Sequence, residues 1–226
     1  MKKMNKYLFM ICVSSLMMVT IVNISFGQTG ISIKDQDGNN YKSVKIGNQT
    51  WMTENLKTTK FNDGTPIPWV TDKTAWVSLT TSAYCWYDND STYKNTYGAL
   101  YNRYTVNTGK LCPSGWHVSS DVEWSALVTF LGGEIVAGGK LKETGTTHWS
   151  SPNTEATNES GFTALPGGSR YTNGVFFTIK NLGYWWSSTE SNTLNGWYRS
   201  MNNRNSAVGR NYYDSTNGFS VRCVKD

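Results

Sequence analysis

Residues 112–133 read CPSGWHVSSDVEWSALVTFLGG, and this stretch decides the architecture. Ser120 followed three residues later by Glu123 forms a capping box, and Asp121 adds an acid to the first turn, where the positive end of a helix dipole favours it. Trp124, Leu127, Val128 and Leu131 recur at i, i+3, i+4 and i+7, which is one apolar helical face. Gly132-Gly133 supplies a stop, because glycine tolerates the left-handed C-cap. A helix is predicted over 121–131, with its aromatic and leucine face in the core.

No other stretch carries so clear a helical period. Upstream, 31–56 reads as a β-meander with strands near 31–34, 41–46 and 49–53, punctuated by Asp37-Gly38 and Ile46-Gly47-Asn48. Residues 57–83 are loop-rich, 84–87 form a strand, and 98–106 alternate weakly as another. Downstream, 134–161 is short helix or loop. Apolar segments follow at 162–165, 175–179, 183–187 and 196–201, and a strand over 218–224 closes the chain. The reading is one α+β domain over 28–226, with small looped antiparallel sheets and about two helices.

The amino-terminal end is read separately. Lys2, Lys3 and Lys6 precede an uncharged apolar run from Tyr7 to Ile24, and Ser25 and Gly27 sit at −3 and −1 of a small-residue cleavage site. Residues 1–27 are therefore expected to be a cleavable signal peptide, giving an exported protein, secreted or at the cell surface. Cys12 lies early in the apolar run behind Met10 and Ile11, which excludes a lipid attachment signal. No membrane insertion is expected after cleavage. Removing 1–27 takes away three lysines and no acid, so the formal charge falls from +5 to +2. That leaves no warrant for nucleic-acid binding. Cys85, Cys112 and Cys223 remain, so an oxidising compartment implies one disulfide and one thiol, with three pairings open.

Several stretches in order then resemble a known family. They are Trp51–Leu56, Cys112–Val118, Asp121–Trp124, Gly161–Gly168, Tyr184–Glu190 and Gly218–Val224. Together they look like the Fibrobacter succinogenes major paralogous domain, which implies an exported or surface protein and implies no activity. Arg103 stands where that family shows Trp. More distantly, Ser120–Trp124, Trp185-Trp186-Ser187-Ser188 and the terminal Gly-Phe-x-x-Arg are similar to formylglycine-generating sulfatase-modifying enzymes and the C-type-lectin-like fold. That resemblance implies pairing of amino- and carboxy-terminal strands and a Cys112–Cys223 disulfide, with Cys85 left free.

No catalytic constellation emerges, so catalytic, cofactor and metal residues are each expected to be none. His117 and His148 are the only histidines, too few for a metal site, and His117 is expected to make a structural hydrogen bond. Asp35, Asp37 and Asn39 have the wrong spacing for an EF-hand and read as a β-turn. Ser151-Pro152-Asn153 resembles half of a lectin calcium motif but lacks its Glu or Gln, and Trp197-Tyr198-Arg199 lacks the acid of the other half. Gly138-Gly139-Lys140 and Gly167-Gly168-Ser169 are read as turns. Binding is the better expectation. Trp149, Tyr171, Trp197, Arg199, Arg210 and Tyr212 are the candidate ligand-binding residues, because aromatic rings beside fixed polar groups suit sugars and protein partners. Burial competes for each ring. A glycan or a surface protein is the expected partner; the alternatives are an extracellular polysaccharide-acting enzyme and a component of a surface assembly.

Overall fold

A computed structural model of the protein describes residues 33–226; the signal-peptide reading of 1–27 lies outside them. In chain order the elements are β1 (Ile33–Lys34), β2 (Asn40–Tyr41), β3 (Ser43–Ile46), β4 (Gln49–Met52), α1 (Lys73–Val77), β5 (Tyr84–Cys85), α2 (Lys94–Tyr97), β6 (Leu100–Tyr101), α3 (Arg103–Val106), β7 (Trp116–Val118), α4 (Asp121–Phe130), α5 (Glu134–Leu141), β8 (Ser169–Arg170), β9 (Phe176–Phe177), β10 (Leu182–Glu190), β11 (Asn195–Asn202), β12 (Val208–Asp214) and β13 (Cys223–Lys225). The fold is α+β and loop-rich. A four-stranded sheet runs β3-β4-β13-β7, a three-stranded sheet runs β10-β11-β12, and three two-stranded ribbons complete it.

The α4 helix forms as its sequence dictates. Ser120 Oγ accepts from the Glu123 amide at 3.2 Å and Glu123 Oε2 accepts from the Ser120 amide at 2.7 Å, so both ends of the capping box close. Trp124, Leu127, Val128 and Leu131 are buried. The Ser120 end is further tied to the last strand, because Val224 on β13 faces His117 on β7 on one side and Trp51 on β4 on the other. The last strand thus pairs with β4, while the first strand, β1, pairs with β2; Cys112 is bonded to Cys223, leaving Cys85 as a buried free thiol.

Four of the quoted stretches, Trp51–Leu56, Gly161–Gly168, Tyr184–Glu190 and Gly218–Val224, meet around Asn55 and Arg222. Asn55 Oδ1 accepts from the Trp185 indole at 2.9 Å and from Arg222 Nε at 2.8 Å, while its amide donates to the Tyr97 carbonyl at 2.8 Å. Arg222 also donates to the carbonyls of Met52, Phe162 and Thr163. These contacts satisfy a buried guanidinium without any carboxylate, which is what makes its burial tolerable. Strand β10 runs between two cores: Trp185 enters one with Trp51, Trp124 and Phe162, whereas Tyr184 and Trp186 enter the other with Tyr101 and Phe219. Side-chain alternation along a strand produces this division.

Some expectations change. The segment 98–106 is not one strand. It is β6 followed by a helical turn, because Asn102 Oδ1 accepts from the Thr105 amide and hydroxyl. The loop-rich 57–83 contains α1, capped by Asp72. Five α-helical segments occur among the described residues where about two were expected; α1–α3 are single turns of four or five residues, and α4 and α5 are the longer ones. Gly138 and Gly139 lie inside α5, not in a turn. A Cβ on either would come within 2.5 Å of the Ala207 or Glu155 carbonyl oxygen, so their absence of side chain lets those loops approach. The apolar segment 162–165 buries Phe162 and Ala164. Arg103 is buried, donates Nη1 to the Ser187 carbonyl at 3.1 Å and lies on Gly196, where a Cβ would fall 2.3 Å from Arg103 Cδ. Gly196 thereby makes room for this arginine.

Candidate functional site

The surface that gathers most of the sequence candidates lies on β11 and β12. Strand β12 pairs with β11, and residues 209–213 are exposed. In this register Trp197 faces Tyr212 and Arg199 faces Arg210, so all four project from the same side of the sheet. Farther along that side, Met201 and Val208 enter the core beneath α4 and α5. The helices therefore cover one end of the face and leave the Trp197–Tyr212 end open.

Trp197 is half-buried, and Tyr212 is 50% exposed. Their rings meet edge to face with centroids 5.5 Å apart. The Arg210 guanidinium lies 3.6 Å from the Trp197 centroid, a cation–π stack. Asp121, the first residue of α4, fixes that guanidinium. Arg210 Nε lies 3.1 and 3.2 Å from Asp121 Oδ1 and Oδ2, and Nη2 donates to Oδ2 at 2.9 Å. Arg199 Nη1 donates to Asp121 Oδ1 at 2.6 Å, and its Nη2 reaches the Asp121 carbonyl and Ser125 Oγ. Partial burial alone would raise the Asp121 pKa, but hydrogen bonds from Arg210 and Arg199 outweigh it and hold the carboxyl below its ordinary value.

Three sequence candidates do not join this surface as ligand contacts would require. Trp149 is 1% exposed; its indole donates to the Ala164 carbonyl at 2.9 Å and its ring packs in the core around Trp124. The Arg199 side chain is 2% exposed and serves by positioning Asp121. Tyr171 lies elsewhere, stacked between Phe177 at 4.6 Å and Tyr213 at 5.9 Å. Tyr213 belongs to the opposite side of β12 from Tyr212. Asp121 was legible only as a helix-start acid; its arginine partners lie 78 and 89 residues away, beyond any local signal.

Three other polar groups tie neighbouring segments together. His117 Nδ1 lies 2.6 Å from Asp226 Oδ1 and Nε2 lies 2.8 Å from Glu123 Oε1. Partial burial disfavours its charge, yet the two carboxylates win and raise its pKa. Asp35 Oδ1 accepts from the amides of Asp37 and Asn39, which makes this segment an Asx-stabilised turn. Asn153 donates to the Glu143 and Gly145 carbonyls and so holds a loop. Among the described residues, no three His, Cys, Asp or Glu side chains are grouped to hold a metal ion.

No curated protein and no solved structure matches the chain. Over residues 44–225, which span both the β3-β4-β13-β7 sheet and the β11–β12 surface, the sequence matches the Fibrobacter succinogenes major domain, and the chain belongs to that family.

Proposed function

We propose that this protein is an exported, non-catalytic recognition domain working at or outside the cell surface, and that it binds glycans through Trp197, Tyr212 and Arg210. The observation that carries the reading is the open end of the β11–β12 face. There two aromatic rings and a guanidinium are held in place by partners within the protein. Such preorganisation lowers the entropy lost on binding, and a sugar offers both C–H faces for rings and hydroxyls for fixed donors. The Cys112–Cys223 disulfide fits an oxidising compartment. Among the described residues no helix is long and apolar enough to cross a membrane. The pairing of β4 with β13 and the place of the disulfide support a C-type-lectin-like relationship as part of the same proposal.

A glycan array with the purified protein tests the reading. Binding that falls at least about tenfold in Trp197→Ala and Tyr212→Ala, about 1.4 kcal/mol or more, supports it. Turnover of a polysaccharide, abolished by one carboxylate substitution, overturns the non-catalytic assignment.

A further inference from the structure

We infer that the Trp197 surface selects uncharged glycans, and that Asp121 sets this preference; the inference rests on the glycan-binding reading above. Two arginines beside a tryptophan would ordinarily invite uronate or sulfate groups, because a guanidinium edge grips such anions with two parallel hydrogen bonds. Here the side-on edge of Arg210 and both Nη groups of Arg199 are engaged inside the protein. Arg210 spends Nε and Nη2 on the Asp121 carboxylate. Arg199 spends Nη1 on the same carboxylate and Nη2 on the Asp121 carbonyl and Ser125 Oγ. Glu134, exposed at the start of α5, adds a second negative charge that acts on both guanidiniums. With Arg199 it lines a depression of about 100 Å³ between α4 and the sheet. Two positive charges thus face two negative ones, and Asp214, next beyond Tyr212 on the same side of β12, is a further carboxylate, so these residues give the face no excess positive charge.

An acidic sugar would have to approach the remaining Nη1 edge of Arg210 against the charges of Asp121 and Glu134, or else displace Asp121 from Arg210. Displacement would take one of its two arginines from the Asp121 carboxylate and leave it only the buried Arg199. A neutral sugar meets no such obstacle. It finds the Tyr212 and Trp197 rings, and the Nη1 edge of a guanidinium that Asp121 has already flattened on Trp197. The role of Asp121 is positional: it locks Arg210 into the aromatic platform and cancels its charge.

Calorimetric or biosensor titrations compare neutral polysaccharides that bind with their carboxymethylated or sulfated derivatives, at low and high salt, for the wild type and Asp121→Asn. Wild-type protein should bind the neutral polymer at least about tenfold more tightly than its acidic derivative, with affinity nearly independent of salt, since exposed charge pairs alone are screened. Asp121→Asn should raise affinity for the acidic derivative about tenfold or more, and salt should weaken that gain. A salt-sensitive wild-type preference for the acidic polymers overturns the inference while leaving glycan binding intact. So does a folded Asp121→Asn variant, judged by its thermal melt, whose preference is unchanged. If the variant does not fold, the wild-type comparison decides alone. Failure of every polymer to bind removes the glycan reading itself.

Discussion

Trp149 and Trp197 look alike in the sequence, each a tryptophan among Ser, Thr and Asn, and the fold gives them opposite roles. Trp149 is enclosed with its indole satisfied by the Ala164 carbonyl; Trp197 stands at the open end of a sheet face with Arg210 on its ring. Trp149→Ala should therefore cost about 3–5 kcal/mol in urea unfolding, as large-to-small core changes do. Trp197→Ala should leave stability within about 1–2 kcal/mol of wild type while removing ligand binding. Nothing local in the sequence separates the two. Exposure is set by what packs overhead, and for Trp197 that depends on where α4 ends over the sheet. The same limit hid Asp121, whose function comes from two arginines on distant strands.

Elements were legible to the degree that they carry their own signals. The α4 helix announced both ends through Ser120, Glu123 and Gly132-Gly133, and it forms over Asp121–Phe130. The amino-terminal meander likewise follows its turns. Strand β12 went unread because Gly209, Arg210, Asn211, Tyr212 and Tyr213 are all exposed and give no apolar alternation; only pairing with β11 makes them a strand. His117 joins three elements, linking β7 to the α4 cap through Glu123 and to the end of β13 through Asp226. Its pKa is raised in the folded protein relative to about 6.5 in an unfolded chain. The clamp's stabilisation is thus complete below that unfolded value and fades as pH rises through the folded one. Because the ring and Asp226 are substantially exposed, the effect should be at most about 1 kcal/mol. Urea midpoints at pH 6 and pH 9 should diverge more for the wild type than for His117→Gln; equal divergence contradicts the clamp.

At the scale of the whole molecule, the described fold is closed by its last strand. Strand β13 lies between β4 and β7, and the Cys112–Cys223 bond spans 111 residues. A loop of that length removes about 4–5 kcal/mol of unfolded-state entropy in the chain-entropy model. Paired Cys112→Ala and Cys223→Ala substitutions should lower stability by an amount approaching that figure. Cys85 should resist alkylation in the native state, since full burial pushes its thiol pKa up to about 12. The family motifs were visible in the sequence because they build this closure through Asn55, Trp185 and Arg222. The surface proposed for binding lies outside those six motifs apart from Asp121, which is why the motifs pointed to the fold and not to a ligand.

The central claim is that recognition occurs at the open end of the β11–β12 face. A ¹H–¹⁵N NMR titration of the protein with a neutral oligosaccharide identified on the array tests it most directly. Saturable shifts of the Trp197 indole N–H and of the β12 amides around Arg210 and Tyr212 are expected, while the Trp149 indole stays in place. Saturable binding that moves signals elsewhere and leaves Trp197 and β12 unmoved would contradict it.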